Sequence, residues 1–175
     1  MKEALWWKPL EHGKVKCGLC PNACIILPGK RGICQVRENR GGRLYAVSYG
    51  QVASICLDPI EKKPLYHFHP GALVLSLGTY GCNFQCAFCQ NWRISQMRPS
   101  CTELTPKQVV DICTSQKERY PGTIGIAYTY NEPTVWYEFV KECAGLAKAQ
   151  GLVNVLVTNG YIAQQALDEL MPFID

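Results

Sequence analysis

Long hydrophobic runs are missing from this 175-residue sequence. No apolar stretch approaches the roughly 18–20 residues that a helix needs to cross a bilayer. Met1 to Leu10 also lacks the apolar core of a secretory signal. Charge is sparse, with 18% of residues charged and a formal net charge of +4. A surplus this small and dispersed gives no argument for a nucleic-acid partner. Lys14, Lys16, Lys30 and Arg31 gather near the first cysteines, but they suit a solvated face equally well. With 47% apolar residues, the composition is that of a folded globular chain. These absences predict a cytoplasmic protein with neither a membrane nor a nucleic-acid partner.

What the sequence has is cysteine, eleven in all. In a small secreted chain that number would announce a disulfide framework; in a cytosolic one, metal binding or catalysis is the better default. Spacing sorts them into four early (Cys17, Cys20, Cys24, Cys34), three central (Cys82, Cys86, Cys89) and four scattered (Cys56, Cys101, Cys113, Cys143). Cys113 and Cys143 fall in helical patterns and read as small buried hydrophobes. Cys56 and Cys101 have no identifiable partner.

The early four lie in residues 1–43, a loop-rich segment with few large apolar side chains. A module of about 40 residues needs a crosslink to fold, so a metal-held knuckle is expected. Four thiolates suit tetrahedral zinc, and a second iron–sulfur cluster fits the same ligands. The central three, in Cys82-Asn-Phe-Gln-Cys86-Ala-Phe-Cys89, follow the apolar run Ala72–Gly78. A [4Fe–4S] cluster takes four cysteines, so a set of three leaves one iron open to chemistry. The alternative is a structural zinc site whose fourth ligand lies elsewhere.

The flanking words add to this spacing. Phe88 precedes the last cysteine, and the chain also carries Tyr66-His-Phe-His-Pro70, Cys89-Gln-Asn-Trp92 and Tyr128-Thr-Tyr-Asn-Glu-Pro133. Together these motifs resemble the AmmeMemoRadiSam-system radical S-adenosylmethionine (SAM) enzymes, relatives of the pyruvate formate-lyase activating enzymes. The resemblance implies a [4Fe–4S] cluster on Cys82, Cys86 and Cys89, with SAM chelating the open iron. A reductant such as flavodoxin or ferredoxin would drive cleavage of SAM to a 5′-deoxyadenosyl radical, which takes hydrogen from an unidentified substrate, a protein among the candidates. It further implies that Phe88 packs near the adenine and that Asn131 and Glu132 meet the SAM ammonium. Thr158 and Asn159 would reach its carboxylate or ribose. Against these stand plainer readings: Glu132 as an acid at a helix N-terminus, and Asn159-Gly160 as a generic turn. Trp92 is a neighbour of the site or core. His67 and His69, in a proline-bounded linker, are structural or solvated before they are ligands. The rivals to a radical enzyme of this kind are an activating enzyme for a glycyl-radical enzyme, a non-catalytic electron-transfer module and an inactive fragment.

Residues 44–71 read as short strands, Leu44–Tyr49 and Val52–Leu57 as a hairpin, followed by a linker from Asp58. From 72 to 175 the pattern alternates. Strands are expected at Leu73–Leu77, Thr123–Thr129 and Val153–Val157. Helices are expected from Thr105-Pro106 to Pro121-Gly122, over Thr134–Gln150 and over Ile162–Leu170. The second helix should bury Val135, Phe139, Cys143, Leu146 and Ala147. Such alternation predicts an α/β fold with parallel strands and right-handed crossovers. The resemblance makes this the N-terminal half of a partial (βα)6 TIM-like barrel, three units of six. The stop at Phe173-Ile174-Asp175, where a fourth strand should open, reads as a truncation.

Overall fold

The computed structural model describes every residue from Met1 to Asp175. The first segment holds β1 (Lys2–Glu3), β2 (Trp7–Pro9), β3 (Val15–Cys17), β4 (Ile25–Ile26), β5 (Arg37–Arg40) and β6 (Arg43–Ala46). They form two small antiparallel sheets, ordered β1-β6-β5 and β2-β3-β4. After β7 (Gln51–Val52) come β8 (Ser54–Pro59) and β9 (Leu73–Gly78), then α1 (Trp92–Ser95), β10 (Thr102–Glu103) and α2 (Pro106–Arg119). The chain finishes with β11 (Thr123–Tyr128), α3 (Tyr137–Ala149), β12 (Val153–Leu156) and α4 (Gln164–Leu170). No helix is long and apolar enough to cross a membrane.

The main sheet runs β12-β11-β9-β8. Its three strands β9, β11 and β12 are parallel, as the alternating pattern predicts, within a mixed α/β chain that does not close into a barrel. The expected hairpin is absent. Both edges of β6 are taken, by β1 and β5. β8 instead pairs antiparallel along the open edge of β9, with Ser54 opposite Gly78 and Pro59 opposite Leu73.

Alternation along the strands sends one set of side chains to each face. Leu75, Leu77, Ile126 and Tyr128 join one core with Val109, Val110 and Cys113 of α2 and Phe139, Val140, Cys143 and Ala147 of α3. Val74, Ala127 and Val155 point the other way and meet Ile60, Leu65 and Phe68. The Thr105 hydroxyl accepts the Gln108 N–H at 3.2 Å and the Gln108 side chain accepts the Thr105 N–H at 2.8 Å, a complete capping box for α2. One helical expectation fails: Leu146 is 44% exposed. Phe139, Cys143 and Ala147 follow an i, i+4 row on α3, and Leu146 stands off that row.

Beside β12, Asp175 donates its N–H to the Asn154 carbonyl, and its carboxylate accepts the Asn154 N–H, both at 3.0 Å.

The N-terminal segment is fastened to α3 by a buried ion pair. Arg37 Nη1 donates to Glu138 Oε1 at 2.7 Å, and Nη2 donates to the Val135 carbonyl at 3.2 Å. Glu138 Oε1 also accepts the Leu5 N–H at 2.9 Å, and both side chains are all but inaccessible. Burial pushes the Glu138 carboxyl up, but Arg37 more than offsets this and holds it below the ordinary carboxylate range. Removing one partner of such a pair strands the other charge. Arg37→Met should therefore lower stability by about 3–5 kcal/mol, read from urea unfolding at neutral pH. The double variant Arg37→Met/Glu138→Leu should recover most of that loss. The sign with pH follows from the depressed Glu138 value: its contribution is complete above the unfolded carboxylate range and fades as pH falls through the lower folded one.

Candidate cluster and cofactor site

Parallel strands bring their carboxyl ends, and the loops that follow, to one edge of a sheet. Beyond β9 lies the loop holding Cys82, Cys86 and Cys89. Cys82 and Cys89 are half-buried and Cys86 is exposed, all as free thiols. The Phe84 N–H donates to Cys82 Sγ at 3.4 Å, and Cys89 Sγ lies 3.2 Å from the Ser95 hydroxyl of α1. Burial raises the Cys82 thiol, partly offset by that Phe84 amide. Gly81 opens the loop with φ +84°, and its N–H donates to the Ile94 carbonyl at 2.8 Å. A Cβ here would run into the Cys34 carbonyl and the Val36 side chain. Phe88 is 90% exposed and Trp92 is 49% exposed, so Trp92 is not core.

Beyond β11 come Tyr130, Asn131 and Glu132. The Asn131 side chain accepts the Thr79 N–H at 3.2 Å and donates to the Gly81 carbonyl at 2.7 Å, stitching this loop to the cysteine loop. Glu132 is buried and its carboxylate is well occupied. Oε1 accepts the Thr134 N–H at 2.9 Å and the Thr158 hydroxyl at 2.7 Å; Oε2 accepts the Asn159 N–H at 2.7 Å. The plain reading as an N-terminal acid thus describes real contacts, since Glu132 caps the short turn Pro133–Trp136. It also binds the loop after β12, and Oε2 has acceptor capacity beyond its single protein donor.

Asn83 completes the junction. Its side chain donates to the Tyr161 carbonyl at 2.9 Å and accepts from Asn159 Nδ2 at 3.0 Å. Cys82, Asn83, Glu132, Thr158 and Asn159 therefore belong to one hydrogen-bonded group. Phe88, Cys86 and the exposed His67 and His69 lie outside it. Two clefts of about 640 and 490 Å³ open beside the loops and share Lys62, Gln90, Asn91 and Tyr130, a size suited to a small-molecule ligand. Sequence reasoning passed over Asp58, which accepts from Lys62, Lys63 and the Tyr130 hydroxyl. Burial would raise its carboxyl, but these donors hold it far below the usual range. The Asp58-Pro59 pair reads as a chain break, and only the pairing of β8 with β9 shows otherwise.

The four early cysteines do come together. Cys17, Cys20, Cys24 and Cys34 line one enclosed cavity with Leu19, Ile26, Arg37 and Asn83 among its other walls. Burial pushes the Cys17, Cys20 and Cys34 thiols up, Cys34 to about 11, while the amides of Leu19, Asn22 and Val36 pull each back in part. No three ligating side chains of the chain converge on a single point. Thiols are soft donors all the same, of the kind that iron–sulfur clusters take, and Glu132 is the carboxylate nearest the central three.

A mixed α/β chain that carries three loop thiols and a buried acid at the carboxyl ends of parallel strands defines a class. The family model of the Radical SAM superfamily matches residues 76–174, from within β9 to the last residues, and the chain belongs to that superfamily. Membership implies a [4Fe–4S] cluster and SAM. The uncharacterized protein MJ0808 of Methanocaldococcus jannaschii is 49% identical over 173 residues, 97% of this chain and 50% of that protein. From the same organism, the uncharacterized protein MJ0674 is 27% identical over 167 residues, and covers 82% of this chain and 44% of its own length. MJ1632, a candidate glycyl-radical enzyme activating enzyme, is 31% identical over 97 residues, 55% of this chain and 35% of its own. The chain thus spans half or less of these relatives.

Gly81 offers a direct test of the packing beneath the cysteine loop. Gly81→Ala forces a side chain into left-handed backbone at a site with no room, at a cost of about 1–3 kcal/mol from the backbone alone. Thermal melts should show the loss, and anaerobic reconstitution should load less iron. Unchanged melting with full iron loading would mean that the loop does not rest on Cys34.

Proposed function

We propose that this chain carries the cluster- and SAM-binding part of a radical SAM enzyme, as the N-terminal half of a partial (βα)6 barrel. Cys82, Cys86 and Cys89 are the cluster ligands. When bound, the cluster and SAM supply reductive cleavage of the sulfonium to methionine and a 5′-deoxyadenosyl radical. The chain's own part is to bind and orient. Cys82 and Cys89 are held by the Phe84 amide and the Ser95 hydroxyl, while exposed Cys86 leaves the outer side of the loop open to a reductant such as flavodoxin or ferredoxin. Glu132 fixes the loop of Thr158 and Asn159 and offers its remaining acceptor capacity to the SAM ammonium. Asn131 sets the distance between this loop and Gly81. Phe88, free of protein contacts on most of its surface, covers the adenine. Cys17, Cys20, Cys24 and Cys34 make a second metal site, for zinc or a further cluster. Eleven unpaired thiols suit a cytoplasmic setting.

The observation that carries this reading is the single hydrogen-bonded group joining Cys82's neighbour Asn83 to Glu132, Thr158 and Asn159 across three strand ends. The narrower likeness to AmmeMemoRadiSam enzymes rests on the sequence words around these residues. A second reading, activation of a glycyl-radical enzyme, is favoured by the match to MJ1632; it makes the hydrogen donor a protein glycine.

Anaerobically reconstituted protein should show the EPR signal of a reduced [4Fe–4S] cluster, altered on addition of SAM. Cys86→Ala should abolish the SAM-responsive signal, and a variant lacking all three central cysteines that keeps a SAM-responsive signal would refute the assignment. Glu132→Gln should leave iron and sulfide content unchanged. A hydrogen bond to a charged group contributes about 1.5–3 kcal/mol, so SAM affinity should fall about ten- to a hundredfold, with a lower melting temperature from the weakened cap. Lower melting with unaltered SAM affinity would confine Glu132 to capping.

A further inference from the structure

We infer that Cys17, Cys20, Cys24 and Cys34 hold a single zinc ion, not a second cluster, and that this ion braces the loop that follows Cys82. The inference rests on reading these four cysteines as a metal site and is independent of what the central three bind.

Three observations support a metal here, and the first of them selects a single ion over a cluster. First, the cavity between the four thiols has about 20 Å³ of room, close to that of one water-sized body. A cube of four irons and four sulfides would have to displace Leu19 and Ile26, which are 3% and 2% exposed. Second, backbone hydrogen bonds gather three of the four cysteines: the Cys17 N–H donates to the Cys24 carbonyl at 2.9 Å, and the Ala23 N–H to the Cys20 carbonyl at 3.0 Å. Third, Arg37 Nε is a buried donor with no partner in the protein. Arg37 is 1% exposed and lines the same cavity. Its other nitrogens are committed to Glu138 and Val135, and a buried unpaired donor costs about 1–3 kcal/mol. A cysteine thiolate, kept negative by the ion it binds, supplies the acceptor. The sulfurs line the cavity without converging, so the ion draws them inward, the usual coupling of zinc binding to local folding.

The connection to the cysteine loop runs through Asn22, which lies between Cys20 and Cys24. Its side chain donates to the Asn83 carbonyl at 3.2 Å, and Asn83 is itself a wall of the cavity. Asn83 in turn holds Asn159 and Tyr161. Ordering Cys20 and Cys24 around an ion therefore orders Asn22, and through it the junction of the β9 and β12 loops.

The test counts metals in two preparations of the full 175-residue chain, purified anaerobically. The unsubstituted chain should carry one zinc besides any iron. The variant Cys82→Ser/Cys86→Ser/Cys89→Ser should keep the zinc and hold no iron or acid-labile sulfide. Cobalt added to the zinc-free variant should give the strong thiolate-to-metal absorption and the red-region bands of a tetrahedral four-sulfur site. Cys17→Ser/Cys20→Ser should lose the ion. Absence of zinc from both preparations, iron with sulfide in the triple variant, or zinc that survives Cys17→Ser/Cys20→Ser would each overturn the assignment. These outcomes do not turn on the central cluster, whose failure would appear as missing iron in the unsubstituted chain with zinc still present. For the brace, Asn22→Ala should keep one zinc while SAM affinity falls at least severalfold; undiminished SAM affinity would remove that part of the inference.

Discussion

The ion pair of Arg37 and Glu138 fixes where the N-terminal segment sits. Both charges have left water, and each is stabilised by the other and by backbone groups of Val135 and Leu5. An isolated buried charge is expensive, so β5 cannot drift from α3 without exposing or stranding one of them. Two residues back from Val36, Cys34 is held against Gly81. Cavity and cysteine loop thus share a wall. The pair itself confers specificity of placement more than net stability, because a packed apolar pair can do as well energetically.

A second constraint acts at the carboxyl ends of the strands. Parallel strands leave unpaired amides and hydroxyls there, and here they converge on two side chains. Glu132 collects donors from its own turn and from the loop after β12, and Asn83 spans from the β9 loop to the same place. A ligand arriving at this edge meets loops whose spacing is already set, which lowers the ordering cost of binding.

Much of this was legible in the residues. The continuous apolar run before Cys82 marks a strand covered on both faces, and Thr105-Pro106 marks a helix start to the residue. The cysteine spacing picks out both thiol groups. What stayed hidden depends on partners far apart in sequence. Nothing local in Ser54–Pro59 says that it runs antiparallel to β9, because the choice rests on which edge is free. Leu146 reads as core by composition, yet faces outward because the i, i+4 row lies beside it. The side chains of Asn22 and Asn83 make contacts across 61 and 76 positions, a range over which no spacing rule operates. Helix α1 is a single turn, too short to leave a period.

The two contacts of Asp175 with Asn154 bear on where the chain runs after α4. The Asp175 N–H takes the Asn154 carbonyl, and the Asp175 carboxylate takes the Asn154 N–H. Residue 175 is thereby laid alongside β12, at the place where a further parallel strand of the proposed barrel would pair.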